Sequence, residues 1–208
     1  MKAEMTRRTL AAALLAASAS ALAGGPLYLQ APGQPFAYSG PVEVYTDLTE
    51  LGPWSNDTAD AAVEFAWNEW NSVPTSSFSA SVAGDFADLG LPPIDGSNAD
   101  LVIGVYNGGG IHVIYDHDGS VLRDVLGAPY GVLGVASPDI AAPDGSGEIL
   151  ESWAVINGSA IPDADPATIA GYTGVMTHEF GHSINLAHTQ TNGAVLFFGD
   201  NVAPAGCD

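Results

Sequence analysis

His178-Glu179-Phe180-Gly181-His182-Ser183-Ile184-Asn185-Leu186-Ala187-His188 places three imidazoles and one carboxylate at a spacing that dictates how the chain folds around them. An α-helix turns about 100° per residue, so His178 and His182 stand about 40° apart on one face and one turn apart along the axis. Both rings can reach one metal ion. Glu179 falls between them in angle, where its carboxylate can touch a water on the metal without ligating the metal, the general-base position. In a continuing helix His188 would point off this face and lie roughly 9 Å further along the axis. The helix must therefore end and the chain fold back. Asn185 sits where that turn is needed, and after Gly, Asn most readily takes the left-handed conformation that ends a helix.

Three neutral imidazoles leave a fourth position open on zinc, which marks a catalytic rather than a closed structural site. Water held there has its pKa lowered towards about 7, and Glu179 can take its proton as it attacks a carbonyl, then pass it to the leaving amine. The expected reaction is hydrolysis, with a peptide bond as the leading substrate.

His178, Glu179, His182 and His188 resemble the signature of the metzincin metallopeptidases, H-E-x-x-H-x-x-G-x-x-H, and the chain is most similar to the matrixins among them. Asn185 replaces the family's Gly at a cost of about 1 kcal/mol. The resemblance implies an α+β fold, a metzincin-like upper subdomain in which a twisted mixed β-sheet carries two long helices, the second bearing the zinc motif. It implies a secreted zinc endopeptidase acting on a protein or peptide. It also implies an exposed edge strand above the zinc that pairs with extended substrate. Leu133-Gly134-Val135-Ala136-Ser137, followed by Pro138, resembles that strand, making Gly134, Val135 and Ala136 candidate substrate-binding residues. On periodicity alone the run reads equally well as an ordinary buried strand.

Two family features are missing. Metzincins carry a Met-containing turn downstream of the third His, whereas the methionines here are Met1, Met5 and Met176. There is no cysteine switch, since the single cysteine, Cys207, follows the site and too little chain precedes the first strand for a prodomain. An unpaired Cys in an exported protein suggests a missing partner. The expectation is a C-terminally truncated chain lacking most of the lower subdomain. The alternative function is a secreted, non-catalytic zinc-containing binding or surface module.

The 208 residues amount to one domain. Lys2, Arg7 and Arg8 precede an apolar run from Leu10 to Ala17, and Ala21-Leu22-Ala23 offers a small-x-small cleavage site. Residues 1–23 therefore read as a signal peptide, too short to anchor the cleaved chain in a membrane, which directs the protein to a periplasmic or extracellular setting. Thr6-Arg7-Arg8-Thr9-Leu10 also looks like a twin-arginine signal. Cleavage would leave Arg123 as the only lysine or arginine, and the chain already carries a formal charge of −20. Nucleic acid is excluded as a partner. The acids read mainly as a solubilising surface. Asp116-His117-Asp118-Gly119 offers two of them, Asp116 and Asp118, as calcium ligands, against the competing reading of Asp-Gly as a hairpin turn. His112 and His117 lack the further histidines that a second matrixin-like zinc site would need.

Residues 24–40, rich in Pro and Gly, read as an extended N-terminal arm, and 41–208 as the catalytic domain. Pro41 to Thr46 alternates as a half-buried strand. Ser55, Asn56 and Asp57 offer N-caps to a helix whose stripe runs Ala62, Val63, Ala66, Trp67, Trp70 and Val73, with Pro74 as the stop. Its tryptophans read as core rather than as a carbohydrate platform. Asp100 to Tyr106 reads as a central strand, with further strands at Ile111 to Tyr115, Gly131 to Ser137 and Ser152 to Ile156. Asp165 and Pro166 start the zinc helix. Gly171, Gly174 and Gly181 weaken its propensity, so packing must hold it, with the small residues expected against the sheet.

Overall fold

A computed structural model describes residues 25–188. Residues 1–23, expected to form a signal peptide, Cys207 and the rest of the segment after His188 lie outside the described residues. The fold is α+β: a mixed five-stranded sheet with two helices. The strands are β3 (Val42–Thr46), β4 (Ala80–Asp85), β5 (Gly110–Asp116), β6 (Gly134–Ala141) and β7 (Ile149–Asn157), in the order β4-β3-β5-β7-β6. All neighbours are parallel except β6, which runs antiparallel to β7 at one edge. The short strands β1 (Leu29–Gln30) and β2 (Gln34–Pro35) fold part of the arm into a hairpin instead of leaving it wholly extended.

Helix α1 (Asn56–Asn71) starts at Ser55, whose side chain accepts from Thr58 N, and buries Ala59, Ala62, Val63, Ala66 and Trp67. Helix α2 (Pro166–Ser183) lies beside it on the same face of the sheet. Trp67 stacks on Phe180 with ring centroids 4.4 Å apart and planes 4° from parallel. Trp70 lies half-buried and donates from Nε1 to the Thr177 carbonyl at 2.8 Å. A Cβ on Gly181 would meet Trp70 at 2.9 Å. This glycine therefore admits the neighbouring helix, not the sheet, and the contact offsets part of its propensity cost of roughly 1 kcal/mol. The tryptophan stripe is thus what holds the histidine-bearing helix in register.

The opposite face is covered by short turns around Phe86, Ile94, Val102, Val121 and Leu122. Here the sequence expectation needs correction. Asp100 to Tyr106 is no strand: a 3-10 turn spans Ala99–Leu101, and Gly104 takes a φ of 81°. The Asn107 amide donates to the carbonyls of Leu101 and Val105, groups that a strand would offer to a neighbour. Asp47 pins this layer down. Its buried carboxylate accepts from the backbone N–H groups of Leu48, Ile94 and Tyr115, joining the end of β3 to β5 and to the covering loop.

Candidate metal centre

The end of α2 brings the histidines together. Ile184 closes the helix, Asn185 takes a φ of 71°, Asn185 N donates to the His182 carbonyl at 2.9 Å and Leu186 N to the Gly181 carbonyl at 2.9 Å. These are the two bonds of a Schellman cap with Asn at its left-handed position. The chain then reverses, and His188 returns to the face that carries His178 and His182.

The three Nε2 atoms form a near-equilateral triangle with sides of 3.1, 3.1 and 3.0 Å. Nitrogens held at about 2.0–2.1 Å around one tetrahedral ion would be separated by roughly 3.3 Å, so the triangle is close to what such an ion requires. Among the described residues this is the one group of three or more His, Cys, Asp or Glu side chains close enough to share a metal ion. The rings also present the correct atoms. His182 Nδ1 lies 2.6 Å from the Leu186 carbonyl, which can only accept, so the proton sits on Nδ1 and Nε2 keeps its lone pair for a metal. Burial, reinforced by the neighbouring His182 and His188, lowers His178 to about 4, and burial also lowers His182. Both stay neutral, as ligation needs.

Glu179 is 4% exposed, and burial raises its carboxyl to about 8. A divalent cation at the triad would draw that value down again. Its neighbour is β6: a Cβ on Gly134 would sit 2.7 Å from Glu179 Cγ and 3.2 Å from Oε1. The edge strand therefore passes directly over the carboxylate. Gly134 and Val135 are partly exposed and Ala136 is buried, and β7 is the only strand paired with β6 among the described residues. If the site hydrolyses peptides, Gly134→Ala is expected to retain bound metal yet lower kcat/KM roughly 10²-fold, because displacing a reacting group by about 1 Å has that effect. An unchanged rate would separate Glu179 from the chemistry.

The calcium candidates Asp116 and Asp118 belong to no group of three or more ligating side chains among the described residues. Asp116 is buried, and its oxygens accept from Val121 N at 3.0 Å and Leu122 N at 2.9 Å, while Asp118 Oδ1 accepts from Ser120 N at 3.0 Å. Gly119, with a φ of 75°, makes the turn. It leads into the helical turn Val121–Val125 and not into a hairpin, so both aspartates serve as backbone caps. His112 lies fully buried on the other face of the sheet, its Nδ1 3.6 Å from Glu151 Oε1. What sequence reasoning missed is the arm. Tyr28 and Phe36 bond to Asn185, contacts between segments roughly 150 residues apart with no local signature in the sequence.

No protein-family model matches the chain, and a search of curated proteins finds no match.

Proposed function

We propose that the chain is a secreted, zinc-dependent endopeptidase of the metzincin type, built on a metzincin-like upper subdomain. The observation that carries this reading is the triangle of three Nε2 atoms 3.0–3.1 Å apart, with Glu179 buried next to it under an edge strand. Neutral imidazoles with a fourth position open are the donor set of catalytic zinc. When bound there, zinc lowers the pKa of a water to about 7 and polarises the substrate carbonyl.

The chain's own residues supply the rest. His178, His182 and His188 would hold the ion through Nε2, and the Leu186 carbonyl fixes the ring of His182. An extended peptide adds to the free edge of β6, where Gly134, Val135 and Ala136 offer backbone groups and set the scissile bond over Glu179. Glu179 takes the proton of the attacking water and returns it to the leaving amine nitrogen. The small side chains of Gly134 and Ala136 keep the strand low over the helix.

The test is metal content together with cleavage. Purified full-length protein is expected to carry one zinc per chain and to cut an unfolded polypeptide, with a chelator stopping the reaction and zinc restoring it. Absence of zinc binding would sink the reading. Stoichiometric zinc without cleavage would assign the site to a non-catalytic binding module.

A further inference from the structure

The backbone needs a left-handed residue at position 185, and glycine would serve that need. The asparagine side chain does something else. Asn185 is 2% exposed, and its amide is fully directed at the N-terminal arm. Oδ1 accepts from Tyr28 N at 2.7 Å, and Nδ2 donates to the carbonyls of Tyr28 at 3.0 Å and Phe36 at 2.9 Å. Both Nδ2 protons are used, so the amide has one orientation: flipping it would set Oδ1 against two carbonyls and Nδ2 against an N–H. A glycine would leave three backbone groups of the arm, Tyr28 N, the Tyr28 carbonyl and the Phe36 carbonyl, without these partners.

The arm also holds the backbone on either side. Leu27 N donates to the Asn185 carbonyl and Ala187 N to the Gly25 carbonyl, each at 2.8 Å, and Pro26 faces Leu186 in an antiparallel bridge. Residues 25–28 therefore act as a strand partner for the three residues that run directly into His188. Further along, the Tyr38 hydroxyl lies 2.7 Å from Ser152 Oγ, which donates to the Ser183 carbonyl at 2.7 Å, fastening the last turn of α2 to β7 and to the arm. His178 and His182 are set by the helix. His188 is set by a short segment that is held from outside by the arm.

We infer that Asn185 is a positioning residue that makes the arm a structural part of the metal centre, so that the placement of the third imidazole depends on residues 25–36. The inference rests on the zinc reading for its functional meaning. Its structural content can be read without metal. Asn separates two roles that Gly would merge: the left-handed turn belongs to the backbone, and the clamp belongs to the amide.

The experiment compares full-length wild type with Asn185→Gly, which keeps the turn and removes the clamp, and with Tyr28→Pro, which removes the donor from the arm side and leaves Asn185 intact. Hydrogen exchange of the metal-free proteins should show faster exchange at residues 27, 28 and 187 in Asn185→Gly, with the core of β5 and β7 unchanged. Zinc affinity, from competition with a chelator, should fall roughly 10–100-fold in both variants, as when outer partners of a metal ligand are removed. The cobalt-loaded proteins should show an altered visible spectrum, which a loss of general stability would not produce. Wild-type affinity and exchange in Asn185→Gly would overturn the inference by leaving Asn only its backbone role. Should Asn185→Gly fail to fold, Tyr28→Pro decides by exchange at residues 27 and 187, by zinc affinity and by the cobalt spectrum, since proline has no amide hydrogen at 28. Should wild type bind no zinc, the zinc reading falls alone, and the exchange comparison still decides whether the amide clamps the arm.

Discussion

Glu179→Gln is expected to lower kcat/KM roughly 10²–10⁴-fold, the usual contribution of a general base, while leaving one zinc per chain. The amide has the shape of the carboxylate and can accept a hydrogen bond, yet it cannot take up a proton at any pH of interest. Because the three imidazoles hold the metal without help from Glu179, the metal stays. Stability has a sign that checks the same point. In the metal-free protein burial raises Glu179 to about 8 from an ordinary 4.5. A raised carboxyl stabilises the fold below its unfolded pKa, and that contribution is lost as pH rises through the folded value. Between about pH 4.5 and 8 the metal-free wild type should therefore lose stability that Glu179→Gln keeps, since the amide has no charge to bury. Loss of zinc together with activity would make Glu179 a ligand, and an unchanged rate would remove it from the mechanism.

The histidine motif was legible because helix geometry is local: the spacing of His178 and His182, the need for a turn at Asn185 and the return of His188 all follow from 3.6 residues per turn. The stripe through Trp67 was legible as core for the same reason, and in the structure Trp67 stacks on Phe180 of the histidine-bearing helix. The strand expected at Gly131 to Ser137 is displaced along the chain: it spans Gly134–Ala141 at the sheet edge and continues through Pro138, a residue an edge strand can carry. The failures are non-local. Asp100 to Tyr106 carries the residues of a strand, but the Asn107 amide captures its carbonyls, and nothing in the run itself announces that. The edge strand Ala80–Asp85 has only Ala80 and Val82 as apolar residues pointing to a common face, too weak a pattern to detect. The arm read as a passive crossing of the surface. Its bonds to Asn185 join segments far apart in the chain, and a lone Asn in a helix-ending position already had a sufficient local explanation.

Adding zinc to the metal-free protein is expected to stabilise it by about 4 kcal/mol at a free concentration 1,000-fold above Kd, and His182→Ala should remove that increment. Three Nε2 atoms 3.0–3.1 Å apart exist only in the folded chain, because His188 reaches the others through a capped turn and not through sequence proximity. Zinc that binds the native state alone adds its binding free energy to folding. For a domain of this size about 4 kcal/mol corresponds to a rise in Tm of roughly 8–16 °C. His182→Ala leaves two rings that cannot close the triangle, and in the metal-free protein it should cost only about 1 kcal/mol, the hydrogen bond from Nδ1 to the Leu186 carbonyl, since alanine suits a helix at least as well as histidine. The pH dependence has a definite direction. Burial depresses His178 from 6.5 to about 4. A depressed His contributes stability above its unfolded value, and this is lost as pH falls through the folded one. Zinc needs the same neutral ring, so both the intrinsic contribution and the zinc increment should decline together between about pH 6.5 and 4. A zinc increment that survives His182→Ala, or one that grows on acidification through this window, would place the metal somewhere other than at these three histidines.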